Sequence, residues 1–250
     1  MFTSVKTESE IKAMREGGRM LATVLQLVSQ QTKAGVSTKE LADIAAKELK
    51  RLGGKPAFLD YQGFPEVLCV SINYEVVHGI PSAKRHINDG DIVSLDFGVR
   101  YRGLITDGAI SVLVGNVEPK VQALCDATLQ SLMKGIDSIH AGVKTGDIGN
   151  AVETVLKDHN YGIVRDLVGH GVGYHLHEEP NVPNYGLKGT GLALKDHVTI
   201  AVEPMATLGG HEVYIDQDGW TVKTKDGSWA AHFEHTILVS GNGAEILTTP

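Results

Sequence analysis

Cysteine is scarce in this sequence. Only Cys69 and Cys125 occur among its 250 residues, and they form no Cys-x-x-Cys pair. Two isolated thiols provide neither a disulfide framework nor a cysteine zinc site. Both cysteines are therefore expected to be small buried apolar residues.

Long apolar runs and an excess of basic residues are lacking as well. No run of 18 or more apolar residues occurs, and the N-terminal MFTSVKTESE has no basic stretch followed by an apolar one. The sequence therefore predicts no transmembrane helix, no membrane partner and no secretory signal, and the expected compartment is the cytoplasm. The net charge of −7 argues against a nucleic-acid partner. The charge of the whole chain does not exclude local basic patches.

Glycine, in contrast, is abundant, with 29 residues in 250, or about 12% against a usual ~7%. This excess predicts many tight turns between short strands. Hydrophobic residues make up 42% and charged residues 21%, as in an ordinary globular protein. Since no Pro- or Ser-rich linker divides the chain, we expect a single domain over residues 1–250.

That domain contains a weak internal sequence repeat, called the echo below. Residues 34–38 (AGVST) and residues 141–145 (AGVKT) each open a helical stretch, at an offset of 141 − 34 = 107. The same offset carries Asp96 onto Glu203, each at the end of a β-prone run. The echo predicts two related halves, about 1–115 and 116–250, with a site between them.

Periodicity predicts helices and strands in blocks, which is typical of an α+β protein. A helix is expected at 8–31, and Ser37 with Glu40 fits a capping box for a second helix that ends near Leu52. A third helix is expected at 117–140, and the second AGV segment opens a fourth that ends near residue 160. Strands are expected at 67–73, 91–100, 104–114, 164–168, 197–203, 211–215 and 231–239.

Five ionisable side chains lie in short apolar stretches where a charge is unfavourable: Asp96 in SLDFG, Asp107 in LITDG, His170 in VGHGVG, Glu203 in AVEP and Glu234 in HFEHT. A buried carboxylate needs a positive partner, yet no Lys or Arg is adjacent to these acids. A pair of metal ions accounts for all of them at once. The pattern therefore indicates a metalloenzyme.

Two of these acids belong to a predicted hairpin. A two-residue turn at Tyr101-Arg102 would join strands 91–100 and 104–114 and set Asp96 directly opposite Asp107 on one face. Like charges in that position destabilise a hairpin unless a cation lies between them. The alternative is that both aspartates are exposed turn or edge residues.

Four carboxylates and one imidazole form a hard, oxygen-rich ligand set. It suits Mn²⁺, Fe²⁺ or Co²⁺ at least as well as Zn²⁺, and it can hold two ions with bridging carboxylates. Paired ions of this kind assist hydrolysis. A phosphoesterase is the other familiar use, but the Lys, Arg or Gly-rich helix start that a phosphate site generally adds is not evident beside these residues.

Two further histidines lie in turns rich in Gly or Pro, His78 in VVHGIP and His177 in HLHEEP. We expect His78 to donate a hydrogen bond to substrate, while His177 follows His170 among the candidate site residues. An isolated histidine would more often be structural or exposed. His175, His211, His232 and His235 have no context that separates them from chance.

The segments NYEVVHGIP, SLDFG, ITDGA, GHGVG, HEEPNVP, AVEPM and DGWTVKTKDGSWAAHFEHT together closely resemble the type I methionine aminopeptidases. They follow the family's order and approximate spacing over nearly the whole chain. The resemblance implies the pita-bread fold, an α+β architecture of pseudo-twofold halves with a curved antiparallel sheet and helices on its outer face.

The resemblance also implies a dinuclear centre for Co, Mn, Fe or Zn, held by Asp96, Asp107, His170, Glu203 and Glu234. By analogy, Asp107 and Glu234 bridge both ions, Asp96 binds one, and His170 with Glu203 binds the other. A hydroxide between the ions would attack the carbonyl of the first peptide bond. Glu203 would also shuttle protons, while His78 and His177 would position the substrate and stabilise the tetrahedral intermediate.

A methionine pocket is carried over by the same resemblance onto Tyr61, Phe64, Cys69, Leu176 and Trp220. Apolar and aromatic walls with a soft sulfur suit a thioether side chain, although plain core packing is the alternative, above all for Cys69. The chain departs from the family at Leu176, where an aromatic residue is common, and at Phe64, where Tyr is common. His232 stands where Gln often precedes the last ligand.

The implied activity is removal of the N-terminal methionine from nascent proteins and peptides with a small second residue. The zinc-binding extension, the large insertion of the type II class and the N-terminal domain of prolidases are all lacking, which favours the short bacterial-type enzyme. We expect a monomer, with transient ribosome association left open. The alternatives are a prolidase-like or proline-specific aminopeptidase and a non-catalytic pita-bread binding module. Such modules generally lose metal ligands, and all five are present here.

Overall fold

The computed structural model describes residues 1–241 and 243–250. In that part of the chain the helices are α1 (Glu8–Gln31), α2 (Thr38–Leu52), α3 (Pro119–Asp137) and α4 (Thr145–Asp158). The strands are β1 (Lys55–Pro56), β2 (Cys69–Ile72), β3 (Glu75–Val77), β4 (Ile92–Tyr101), β5 (Leu104–Leu113), β6 (Gly162–Ile163), β7 (Gly169–Gly171), β8 (Glu178–Val182), β9 (Thr199–Val202), β10 (Met205–Thr207), β11 (Val213–Ile215), β12 (Val222–Thr224), β13 (Ala230–His232), β14 (Glu234–Ser240) and β15 (Gly243–Ile246). Across the same described ranges, no helix combines the length and the apolar character that crossing a membrane requires.

The first two helices begin at capping boxes. The hydroxyl of Thr7 accepts a hydrogen bond from the Glu10 backbone N–H, and the Glu10 carboxylate accepts one from the Thr7 N–H at 2.7 Å. Ser37 and Glu40 repeat this arrangement at the start of α2, as the sequence predicts. The apolar residues at helical spacing are buried, namely Ile11, Met14, Leu21, Val24, Leu25 and Val28 in α1 and Leu41, Ala45 and Leu49 in α2, while Ile44 is half-buried.

Nine strands form a curled, antiparallel half-barrel sheet. Their order is β1-β4-β5-β14-β9-β7-β8, with β2 paired to β4 and β15 paired to β14. The remaining strands form two three-stranded sheets, β13-β10-β6 and β11-β12-β3. The predicted α+β class is confirmed.

The helices pack on one face of the large sheet and leave the other face for a site. In β4, Val93, Leu95 and Phe97 lie in one core cluster with the apolar residues of α1 and α2. Because successive side chains of a strand alternate between faces, Asp96 and Gly98 point away from the helices. The candidate site lies on this second face.

The two halves of the chain repeat the same backbone hydrogen bonds at the offset of 107 residues. The N–H of Gly35 donates to the carbonyl of Ile87 at 2.8 Å, and the N–H of Gly142 donates to that of Leu194 at 2.7 Å. Both glycines have a φ of 90°, a left-handed conformation that glycine adopts readily. The echo in the sequence thus corresponds to a repeated turn before α2 and α4.

The hairpin of β4 and β5 differs from the prediction in its register. Its turn is formed by Arg102 and Gly103, whose φ angles of 49° and 85° match a type I′ turn, and glycine at the second position favours this choice. Asp96 therefore pairs with Ala109, and the predicted direct opposition of Asp96 and Asp107 is wrong. Since the turn moves by one residue along each strand, the two aspartates still share one face as diagonal neighbours.

Two other predicted strands are corrected. The segment 164–168 is not a strand, because β6 ends before it, β7 begins after it, and the charged Arg165 and Asp166 between them are exposed. The predicted strand 231–239 is interrupted at Phe233, so that β13 joins a small sheet and β14 joins the large one. The predicted helix 117–140 begins as α3 at Pro119, because proline is well suited to the first turn.

Candidate metal centre and adjoining pocket

Every residue assigned to the site from the sequence lines one cleft of about 500 Å³. The lining includes Tyr61, Phe64, Cys69, His78, Asp96, Asp107, His170, Leu176, His177, Glu203, Trp220 and Glu234. These residues come from both halves of the chain and from loops as well as strands. The fold therefore brings together groups that lie more than 170 positions apart in the sequence, such as Tyr61 and Glu234.

A row of paired residues crosses four strands of the large sheet. Cys69 in β2 pairs with Asp96 in β4, Asp96 pairs with Ala109 in β5, and Ala109 pairs with Glu234 in β14. Paired residues of neighbouring strands point to the same face, so both carboxylates are directed into the cleft. Asp107 lies two residues from Ala109 along β5 and points to the same face.

The second half adds an imidazole and a further carboxylate. Asp107, His170 and Glu234 each present one ligand atom within 4.8 Å of the others. His170 Nδ1 lies 2.9 Å from the carbonyl of Gly171, and Nε2 lies 3.4 Å from Glu203 Oε1. A backbone carbonyl that accepts from Nδ1–H leaves Nε2 free to bind a cation, which is the usual arrangement of metal-binding histidines.

The carboxylates are held where water cannot solvate their charge. Burial raises the pKa of Asp96 to about 7. Burial first, and the neighbouring carboxylates second, raise the pKa values of Asp107, Glu203 and Glu234 well above their ordinary range. Such acids can be ionised together only if positive charge lies between them.

The donor atoms fit divalent ions. Within residues 1–241 and 243–250, neither Asp96 Oδ1 nor Glu234 Oε1 has a hydrogen-bond partner, although both atoms are buried. No lysine or arginine is among the residues that line the described cleft. Unpaired carboxylate oxygens beside a neutral imidazole form the hard donor set that Mn²⁺, Fe²⁺, Co²⁺ and Zn²⁺ accept.

The cleft histidines are neutral at pH 7. Burial first, and the neighbouring His177 second, lower the pKa of His170 to about 3 and that of His78 to about 4. Burial also lowers the pKa of His177. His177 Nδ1 lies 2.8 Å from the Tyr61 hydroxyl, and the His170 and His177 rings meet edge to face with centroids 4.3 Å apart. Neutral His78 and His177 rings can each offer one N–H to a ligand.

A tight turn aims His78 into the cleft. His78 has a φ of 60°, a left-handed conformation that is uncommon for a residue with a Cβ. The N–H of Gly79 donates to Ser71 Oγ at 3.0 Å, and the N–H of Val70 donates to the carbonyl of Gly79 at 2.9 Å. A Cβ on Gly79 would lie 2.2 Å from the carbonyl oxygen of Val70, so only glycine fits at this close approach. The neighbouring strand β2 thus holds the turn in place.

An apolar pocket adjoins the carboxylates. Phe64, Cys69 and Leu176 are buried in one cluster, against which Tyr61 and Trp220 pack while partly exposed. The Phe64 and Trp220 rings meet edge to face with centroids 5.2 Å apart. These side chains pack against one another and also line the cleft. They therefore belong both to the apolar core and to the wall of the pocket.

Two residues near the site were missed by sequence reasoning. Phe58 lines the cleft because Gly98 of β4 leaves room for it, and a Cβ on Gly98 would lie 2.6 Å from Phe58 Cε1. The glycine two residues after Asp96 is the signal that could have indicated a side chain packed there. His232 is buried, and its Nε2 lies 3.9 Å from Glu234 Oε2. Its position two residues before Glu234 in the sequence could have indicated that it lies near the site.

Comparison with known sequences gives consistent matches over nearly the whole chain. The profile of Metallopeptidase family M24 matches residues 12–241. The methionine aminopeptidase of Aquifex aeolicus is 42% identical and is aligned over 99% of both chains. Methionine aminopeptidase 1 of Bacillus subtilis is also 42% identical, over 97% of this chain and 98% of its own length.

Solved structures agree. The methionine aminopeptidase of Thermotoga maritima has a TM-score of 0.98 and 41% identity, with full coverage of both chains. The prolidase from Pyrococcus furiosus has a TM-score of 0.79 at 22% identity, covering 98% of this chain and 65% of its own, which indicates a shared fold alone. The expected pita-bread fold is confirmed.

Proposed function

The chain belongs to metallopeptidase family M24, and from this premise we propose that it is a methionyl aminopeptidase, which removes the N-terminal methionine from peptides and nascent polypeptides. The observation that supports this most is the convergence of four carboxylates, three histidines and an apolar pocket in one cleft. Because both halves contribute to that cleft, residues 1–250 act as one catalytic unit made of two repeats, about 1–115 and 116–250.

The proposal assigns two divalent ions to Asp96, Asp107, His170, Glu203 and Glu234. All five side chains would hold the ions between them, and Asp107, His170 and Glu234 each present a ligand atom within 4.8 Å of the others. The unpartnered oxygens of Asp96 and Glu234 support this assignment. Bound ions of this type acidify a water molecule and polarise a carbonyl group.

The chain's own residues supply proton transfer and orientation. Glu203 is the least buried of the four carboxylates, so its side chain is the acid best placed to exchange a proton with a group in the cleft. His78 and His177 can donate N–H hydrogen bonds to the carbonyl oxygen on which negative charge develops. The Tyr61 hydroxyl fixes the orientation of the His177 ring.

The apolar pocket would hold the methionine side chain. Its walls are Tyr61, Phe64, Cys69, Leu176 and Trp220, to which the structure adds Phe58. Aromatic faces and a thiol make favourable contacts with a thioether. A small second residue would follow outside this pocket. The proposed setting is the cytoplasm, where a monomer acts on nascent chains.

Peptide turnover tests the proposal. Protein reconstituted with Mn²⁺ or Co²⁺ would be offered Met-Gly and Met-Ala peptides and peptides cleaved before or after proline, and released amino acids would be measured by chromatography. We expect methionine release and no turnover of the proline peptides. Turnover of the proline peptides alone would favour a prolidase-like enzyme, and no turnover of either would favour a binding module.

A further inference from the structure

His232 is a buried histidine whose ring makes no hydrogen bond to the residues that the structure describes. Its side chain is almost fully buried, with the residue 1% exposed, and neither ring nitrogen has a partner in the part of the chain that the structure describes. An unsatisfied buried donor or acceptor costs about 1–3 kcal/mol. An apolar residue of similar size would avoid this cost, so the imidazole needs a reason to be there.

The backbone of His232 is fixed from the large sheet. Ser111 Oγ in β5 accepts a hydrogen bond from the His232 N–H and donates one to the His232 carbonyl, both at 2.9 Å. Ser94 Oγ in β4 lies 2.9 Å from Ser111 Oγ. Two strands that carry cleft carboxylates therefore also hold the backbone from which the His232 ring projects.

The ring of His232 faces the carboxylate of Glu234. His232 Nε2 lies 3.9 Å from Glu234 Oε2, and the other oxygen, Oε1, is buried without a hydrogen bond within the described ranges. A distance of 3.9 Å is longer than a hydrogen bond by roughly 1 Å. Contacts of this kind are often long in unliganded sites and shorten when the site is filled.

His235, which lies with Glu234 in β14, provides a contrast. It is adjacent to Glu234 and largely buried, but its Nδ1 lies 2.8 Å from the hydroxyl of Thr248, so its ring is satisfied by an ordinary structural contact. Neighbouring residues in a strand point to opposite faces, which directs His235 away from the cleft. Of the two histidines that flank Glu234, His232 is therefore the one directed at its carboxylate.

We propose that His232 is a positioning residue that donates a hydrogen bond from Nε2 to Glu234 Oε2 and so orients this carboxylate towards the metal ions. The inference rests on the proposed function, since it takes Glu234 as a ligand. Partners that orient a ligand in this way typically change metal affinity 10–100-fold when they are removed. His232 does not line the cleft, so it would act through Glu234 and not on the substrate.

Metal titration of three variants tests this role. In His232→Gln a side-chain amide N–H can take the place of the Nε2 donor, in His232→Asn the amide is too short to reach, and in His232→Leu no donor remains. Isothermal titration of the metal-free proteins with MnCl₂ should show near-normal affinity for the Gln variant and a loss of about 10–100-fold for the Asn and Leu variants. Thermal unfolding would establish that each variant is folded.

His235→Leu is the matched control, and we expect it to lower the melting temperature without changing the affinity for Mn²⁺. Equal affinity of wild type and His232→Leu would overturn the proposal, as would an equal loss of affinity in His235→Leu. If His232→Leu does not fold, the comparison of Gln with Asn decides, because equal affinities there would also overturn it. Wild-type protein that binds no Mn²⁺ and releases no methionine would instead refute the proposed function itself.

Discussion

Replacing Asp96 with asparagine should stabilise the metal-free protein while it weakens metal binding. Asp96 is buried beside Asp107 and Glu234, and burial raises its pKa from 3.8 to about 7. Asparagine has nearly the same shape and carries no charge. The substitution therefore removes a group that is unfavourable in the folded state unless a cation is bound.

The size of the effect follows from the pKa. Between pH 3.8 and about 7 the folded protein holds a proton on Asp96 that the unfolded chain releases, so the free energy of unfolding falls as the pH rises. Above about pH 7 the ionised Asp96 destabilises the folded wild type by the full amount. At 1.36 kcal/mol for each pKa unit, this destabilisation is about 4 kcal/mol. The charge of Asp96 also raises the pKa values of Asp107, Glu203 and Glu234. Its removal therefore makes ionisation of these neighbouring acids less unfavourable and adds to the stability of the folded variant.

The assay is denaturant and thermal unfolding in EDTA at pH 5 and pH 8. For a chain of this length 1 kcal/mol corresponds to ~2–4 °C, so Asp96→Asn should melt roughly 8–16 °C above wild type at pH 8 and by much less at pH 5. Saturating Mn²⁺ should then raise the melting temperature of wild type more than that of the variant. Asp158→Asn, at an exposed aspartate at the end of α4, is the control and should behave as wild type.

The reasoning is refuted if Asp96→Asn is no more stable than wild type in EDTA at pH 8. It is also refuted if the difference between the two proteins does not shrink at pH 5. Either result would mean that the carboxylate of Asp96 is solvated or paired in the metal-free protein.

Five further substitutions give independent tests. His170→Ala and Glu203→Ala should abolish methionine release with the fold retained by circular dichroism, and unchanged activity would remove that residue from the mechanism. His78→Ala should lower kcat by about 10²–10³-fold with metal content unchanged, whereas loss of metal would contradict its assignment to substrate. Gly79→Ala should destabilise the protein and lower kcat, because its Cβ would lie 2.2 Å from the carbonyl oxygen of Val70; a fully active, equally stable variant would show that the turn is not constrained. Ser37→Ala should cost about 1 kcal/mol in urea unfolding and leave kcat unchanged, since it removes only a helix cap.

The sequence was sufficient for features that depend on near neighbours. The capping box of α2 follows from residues three positions apart and was predicted correctly, whereas the equivalent box of α1 was found only in the structure. The buried faces of both helices follow from apolar residues three and four positions apart. The acids of the cleft were identified because each lies in an apolar stretch without a cation beside it. The repeat at 107 residues then related Asp96 to Glu203 before any fold was known.

Features that depend on a single turn or on distant contacts were harder to predict. The sequence allowed a two-residue turn at either of two neighbouring positions, and the register of β4 with β5 was decided by the left-handed conformations of Arg102 and Gly103. The strand is broken at Phe233 because the segment before this residue, β13, and the segment after it, β14, join different sheets. Phe58 reaches the cleft only because Gly98 leaves space for it in a strand 40 residues away. None of these constraints is visible within one short segment.

Titration of the metal-free protein with Mn²⁺, with methionine release followed in the same samples, tests the central claim most directly. We expect activity to be absent in EDTA, to appear as ions bind, and to saturate near two ions for each chain. A folded protein that binds no divalent ion, or one that releases methionine equally well in EDTA, would contradict the account.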